Sequence, residues 1–124
     1  AATPRASLSL DEQFCFPVYA ASNLIQRIYR PLLEPLGLTY AQYLALLVLW
    51  EGGDVSVKEL GERLFLDSGT LSPLLKRLVE RGLVKKTADA EDGRRVVVTL
   101  TARGRALKPR GLRGRHESHY RQPL

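Results

Sequence analysis

Three groups of side chains have types and spacings that could do chemistry. Cys15 is the only thiol in the chain and stands between Phe14 and Phe16. A thiolate is a nucleophile and the form that peroxides oxidise. On its own, a lone cysteine in an apolar stretch is more often an inert core residue. The second group is Asp67-Ser68-Gly69-Thr70, with Ser72, Lys76 and Arg77 following. Small polar groups at a helix N-terminus can approach base edges, and the free N–H groups there favour phosphate. The bland alternative for this cluster is simple helix capping. The third group is Lys86, Arg94 and Arg95, around the polar stretch Asp89-Ala90-Glu91-Asp92-Gly93. An arginine at a hairpin tip can enter a narrow minor groove, and Asp92 is placed to orient Arg94. His116 and His119 form H-x-x-H, a weak metal signal at most. No metal and no cofactor are expected.

These groups need elements to hold them. Ser56 and Glu59 stand as S-x-x-E, a capping box that opens a helix through Val57, Leu60 and Leu64. Leu66-Asp67-Ser68-Gly69 breaks it and offers Asp67 or Ser68 as a new N-cap. Leu71, Leu74, Leu75, Leu78 and Val79 then give a second apolar stripe, closed by Gly82. Pro73 is expected near the first turn of this helix, where N–H partners are lacking anyway. Strands are expected over 83–87 and 95–100, with the loop 89–94 between them. Helix, turn, helix and two-stranded wing in this order read as a unit for duplex DNA. Upstream, the pattern predicts a helix over about 10–36 through Phe14, Val18, Ala21, Leu24, Ile25, Ile28 and Leu32. Pro17 and Pro31 should bend or break it. Thr39 and Gln42 form a second capping box, T-x-x-Q, for a helix carrying Tyr43, Leu44, Leu46, Leu47 and Trp50, stopped by Gly52-Gly53. Thr101 should cap a last helix from Ala102 to about Lys108. Residues 1–9 read as a flexible arm.

A chain of 124 residues is one domain by length, and 44% hydrophobic residues suffice for a modest core. The reading divides it into a winged-helix unit over 1–108 and an irregular basic tail over 109–124. The net charge of +6 is misleading until it is located. Residues 1–102 hold 12 basic and 12 acidic residues, so the surplus lies in 103–124. Within the balanced part, residues 76–95 hold seven basic against four acidic residues, which gathers positive charge at the second helix and the wing. No apolar run approaches the roughly 20 residues of a membrane span, and no secretory signal pattern opens the chain. One cysteine makes no internal disulfide, which fits a reducing cytoplasm. A cytoplasmic protein without membrane partners is therefore expected.

The wing sequence Asp89-Ala90-Glu91-Asp92-Gly93-Arg94, followed by Val97-Val98-Thr99-Leu100-Thr101-Ala102-Arg103-Gly104, resembles the multiple-antibiotic-resistance-regulator (MarR) family of winged-helix transcription regulators. Leu66-Asp67-Ser68-Gly69-Thr70-Leu71-Ser72-Pro73-Leu74-Leu75-Lys76-Arg77-Leu78 and Phe14-Cys15-Phe16-Pro17-Val18-Tyr19-Ala20-Ala21-Ser22 resemble a narrower branch, the organic hydroperoxide resistance regulators. The resemblance covers roughly 8–108. It implies that Cys15 is a peroxide sensor. It also implies that Tyr29 and Tyr40, with Tyr19 as a third, donate hydrogen bonds to its sulfur from the partner subunit. Phenol donors stabilise a thiolate in an apolar pocket, and Phe14 and Phe16 would wall that pocket for an organic hydroperoxide. Oxidation to sulfenic acid would change the acceptor geometry. Members of the family usually continue into long C-terminal helices that pair with the first helix in a dimer, and Arg110–Leu124 departs from that pattern. With no second cysteine in this sequence, the sensor would use one cysteine, with a small thiol as its candidate partner.

The expected fold is therefore mostly α with a small β-wing, a winged helix-turn-helix with a helical dimerisation region from the N- and C-terminal helices. The expected function is a homodimeric repressor of pseudo-palindromic double-stranded operator DNA, released when an organic hydroperoxide oxidises Cys15. A repressor released by a small phenolic ligand is the alternative. A thiol peroxidase is disfavoured by the single cysteine, so no enzyme is expected.

Overall fold

A computed structural model describes residues 8–108. The expectations for the first seven residues of the arm, the tail 109–124 and the His116/His119 pair lie outside that range. Helix α1 spans Phe16–Leu33, α2 Tyr40–Gly52, α3 Val57–Leu64, α4 Ser68–Glu80 and α5 Ala102–Leu107. Strands β1 Val55–Ser56, β2 Val84–Ala88 and β3 Val96–Leu100 form an antiparallel sheet in the order β1-β3-β2. The fold is mostly helical with a small sheet, as the hydrophobic periods require.

Local codes place the element ends. Both capping boxes form: Gln42 N–H donates to the Thr39 hydroxyl at 3.2 Å, and Glu59 N–H to the Ser56 hydroxyl at 3.0 Å. Of the two candidates for the cap of α4, Asp67 takes the role, accepting from Thr70 N–H at 3.2 Å. Gly82 has φ +72°, and the N–H groups of Gly82 and Leu83 donate to the Val79 and Leu78 carbonyls, a Schellman turn that fixes the angle between α4 and the wing.

Two expectations about proline need correction. The single helix over 10–36 is three pieces: a 3-10 turn at Leu10–Glu12, α1, and a second 3-10 turn at Glu34–Leu36. Pro17 lies in the first turn of α1, so it helps to start the helix where a break was expected. Pro31 lies inside α1, two residues before its last. Pro73 is the sixth residue of α4 and so beyond its first turn. The helix loses one hydrogen bond there, to the carbonyl of Gly69, which is exposed and so open to water.

The core is built around α2, whose Tyr43, Ala45, Leu46, Val48 and Leu49 are buried among Leu60 of α3, Leu71, Leu75 and Leu78 of α4, and Val84 and Val98 of the wing. Because α2 is covered on most sides, its apolar residues run nearly all the way round. Helix α1 is the opposite case. Leu33 is its one buried residue, while Val18, Leu24, Ile25 and Ile28 are exposed, with Phe14 just ahead of the helix.

The short strand β1 was not anticipated. It pairs Val55 with Val98 and Ser56 with Val97, so the start of α3 is sewn to the wing. Helix α5 is fastened as well: Thr101 Oγ1 donates to the Gly82 carbonyl at 2.6 Å, and Trp50 Nε1 donates to the Gly104 carbonyl at 2.9 Å. A Cβ on Gly104 would fall on the Leu83 carbonyl oxygen and crowd Leu100. Gly104→Ala is therefore expected to cost about 1–3 kcal/mol of stability, read as a lower thermal midpoint. An unchanged midpoint would show that α5 shifts freely.

Candidate DNA-binding surface and thiol site

The helix-turn-helix consists of α3 and α4, and the close approach of the two is set at Gly61. A Cβ there would sit 3.1 Å from the Leu66 carbonyl oxygen and 3.3 Å from Leu71 Cδ2. This packing leaves the outer face of α4 open. Ser68, Gly69, Thr70, Ser72, Lys76 and Arg77 are all exposed, and so is Lys86 on β2. Asp67 is exposed too, but hydrogen bonds from Thr70 hold its carboxyl below the ordinary range. Its carboxylate therefore organises the helix start.

At the wing tip the loop 89–95 is tied by its own side chains. Glu91 N–H donates to Asp89 Oδ1 at 2.9 Å, and Arg94 N–H to Asp92 Oδ1 at 3.1 Å. The Arg94 side chain is 96% exposed and lies 3.6 Å from Asp92, a loose pairing that orients the guanidinium without covering it.

Arg95, expected among the DNA contacts, is engaged within the protein. It donates to Asp89 Oδ2 at 2.8 Å and to Glu59 Oε1 at 2.9 Å. The same Glu59 oxygen accepts the Ser56 N–H at 3.4 Å. One capping-box carboxylate thus joins the start of α3 to the base of the wing. Glu59 is held below the usual carboxylate range first by Ser56 and then by Arg95, and Asp89 first by the Glu91 N–H and then by Arg95. Arg81 is also diverted, donating to the carbonyls of Leu36 and Gly37. Of the seven cations in 76–95, Lys76, Arg77, Lys85, Lys86 and Arg94 remain open on the surface.

The latch carries a pH prediction. Carboxylates whose folded values are depressed stabilise above their unfolded values, of about 4, and lose that contribution as pH falls through the lower folded values. Acidification below about pH 4 should therefore release the wing from α3. Amide exchange at residues 89–95 should rise before the core opens. Wing and core opening together would show that the latch does not hold the wing.

The thiol lies on the other side of the molecule's sequence, at the N-cap of α1. Cys15 is exposed, and its carbonyl accepts the Tyr19 N–H at 3.2 Å. Phe14 is 75% exposed and Tyr19 64%, while Phe16 is half-buried. Tyr29 and Tyr40 are half-buried and come together within one chain, with ring centroids 5.2 Å apart. Tyr43 completes the cluster at 5.7 Å from Tyr29 and 6.1 Å from Tyr40. It was read from sequence only as a core residue, although its place three residues after Tyr40 puts it on the same helix face. Among the described residues no group of three or more His, Cys, Asp or Glu is arranged for a metal ion, and no single helix is long and apolar enough to cross a membrane.

Comparison with known proteins agrees with this geometry. Residues 36–95 match the model of the MarR family. The chain is 59% identical over 100 residues to the HTH-type transcriptional regulator TtmR of Methylorubrum extorquens, covering 81% of this chain and 51% of that protein. It therefore spans about half of that relative's length. It is 47% identical over 105 residues to the organic hydroperoxide resistance transcriptional regulator of Bacillus subtilis, covering 85% of this chain and 71% of the relative. Among solved structures, reduced AbfR bound to DNA superimposes with a TM-score of 0.73 at 40% identity, over 81% of this chain and 70% of the other.

Proposed function

Because this chain belongs to the MarR family of winged-helix transcription regulators, in its organic-hydroperoxide-regulator branch, we propose that it represses transcription from a pseudo-palindromic operator and releases that DNA when an organic hydroperoxide oxidises Cys15. The observation that carries the DNA half is the open α4 N-terminus beside a wing tipped by Arg94. Ser68, Gly69, Thr70 and Ser72 enter the major groove. Lys76, Arg77 and Lys86 meet phosphates, and Arg94 reaches the flanking minor groove. Asp67 and Arg95 position these groups, one by capping α4 and the other by holding the wing.

The redox half is supported by the place of Cys15. The only thiol of the chain is exposed beside the uncovered apolar stripe of α1. That stripe suits pairing with a second copy, which would bring the tyrosine cluster of one subunit to the cysteine of the other. The thiolate attacks the terminal peroxide oxygen. An S–O bond forms as the O–O bond breaks, and the alkoxide leaves and takes a proton as the alcohol. The sulfenic acid then alters the hydrogen bonding by Tyr29, Tyr40 and Tyr19, and the spacing of the two recognition helices changes. A small thiol would cap the sulfenic acid, since the chain has no second cysteine.

Footprinting on a duplex selected from a random pool tests the DNA half. A two-fold dimer should protect half-sites centred about 10 bp apart, or a multiple of that. A single half-site, or binding indifferent to salt, would count against it.

The second reading, release by a phenolic ligand, draws on an open cavity of about 320 Å³ beside Trp50, where Arg105 and Lys108 supply positive charge. Release of DNA by such a ligand from a Cys15→Ser protein would favour it.

A further inference from the structure

Phe65, in the turn between α3 and α4, has a backbone and an exposure that folding alone does not explain. Its φ of 57° and ψ of 39° put it in the left-handed region, and it is the only non-glycine residue with positive φ among the described residues. That region favours glycine or asparagine and is unusual for a bulky side chain. The turn is otherwise well made: Phe65 N–H donates to the Glu62 carbonyl and Leu66 N–H to the Gly61 carbonyl at 2.9 Å. Nor does burial favour the aromatic ring, which is 94% exposed. A strained, exposed aromatic residue is a reason to look for function.

Its neighbours indicate what that function is. Phe65 stands two residues before Asp67, the cap of the helix that presents Ser68 and Thr70. It shares an open groove of about 740 Å³ with Asp67, Ser68 and Leu71 on one side and Val57, Lys58 and Glu62 on the other. The groove is continuous with the end of α4 assigned to the major groove, and Val57, Leu66 and Leu71 give it an apolar lining beside the ring.

We propose that Phe65 is a DNA contact, packing its ring on an apolar nucleotide edge at the border of each half-site, either a thymine methyl or a deoxyribose face. The inference rests on the DNA-binding reading above and adds an apolar determinant to a surface otherwise read as polar and cationic. The left-handed turn aims the ring away from the core, and the groove keeps it beside the bases that Ser68 and Thr70 approach.

The test compares wild type, Phe65→Asn and Phe65→Leu on a labelled duplex that the wild-type protein selects from a random-sequence pool. Asparagine tolerates the left-handed backbone, so the turn survives without the ring. Phe65→Asn should bind about tenfold more weakly, a loss of about 1.4 kcal/mol. The slope of affinity against salt should not change, because no cation is removed, and the urea midpoint should be equal or higher. Phe65→Leu should retain part of the affinity. Repeating the measurement with deoxyuridine in place of each thymidine separates the two edges. A methyl contact loses its advantage at one substituted position, whereas a sugar contact is indifferent to all of them. Binding by Phe65→Asn within twofold of wild type overturns the proposal, as does a lower urea midpoint accompanying the loss, which would make the ring a prop of the turn. Failure of the wild-type protein to select any duplex would instead overturn the DNA-binding reading itself.

Discussion

Cys15→Ser should bind operator DNA as tightly as the wild-type protein and stay bound in organic hydroperoxide at concentrations that strip the wild type. The change replaces one sulfur by oxygen on an exposed residue, outside the core and remote in sequence from α4 and the wing. Fold and DNA contacts are therefore left alone. What is lost is the nucleophile, since a serine hydroxyl does not reduce a peroxide under these conditions. Tyr29→Phe and Tyr40→Phe are the companion variants. Both rings pack within 6.1 Å of Tyr43, centroid to centroid, so phenylalanine keeps the cluster and removes only the hydroxyl. Each should slow oxidation of Cys15 while leaving the unfolding midpoint close to that of the wild type. A change in stability with no change in oxidation rate would confine these tyrosines to packing.

Arg94→Ala carries the second large effect. The side chain is almost fully exposed and is held only loosely by Asp92, so its removal should not disturb the wing. If it reads a groove, operator affinity should fall by roughly 1–3 kcal/mol. The contrast is Arg95→Ala, which cuts the ties to Asp89 and Glu59 and should act through wing order. Amide exchange at the loop 89–95 separates the two: unchanged for Arg94→Ala, faster for Arg95→Ala. Wild-type DNA binding by Arg94→Ala would remove the wing tip from the interface.

The helical parts of the fold were legible because their signals are local. Two capping boxes, the Asp67 cap and the Gly82 turn are each written within four or five residues, and each forms as written. Non-local features were not legible. Strand β1 is two residues long and exists only because β3 arrives beside it from more than 40 residues away. The fate of Arg95 depended on Glu59, 36 residues earlier, whose capping role hid its second partner. Arg81 counts among the cations of 76–95, but its partners are the carbonyls of Leu36 and Gly37, more than 40 residues earlier. Charge counting located a cluster of cations but could not tell a cation that faces solvent from one that holds the chain together. The proline errors have a similar cause. Composition says that a proline costs a hydrogen bond, but only the surroundings say whether the freed carbonyl meets water. Tyr43 was hidden by its burial, which made it look like ordinary core.

The central claim is that oxidation of one cysteine controls DNA binding, and titration of the DNA-bound wild-type protein with an organic hydroperoxide at fixed salt tests it most directly. Intact mass and fluorescence anisotropy are followed on the same samples. DNA should be released in proportion to the gain of one oxygen on Cys15, near one equivalent of peroxide per chain, and a thiol reductant should restore binding. Protein that carries the oxygen on Cys15 yet stays on the DNA would contradict the claim.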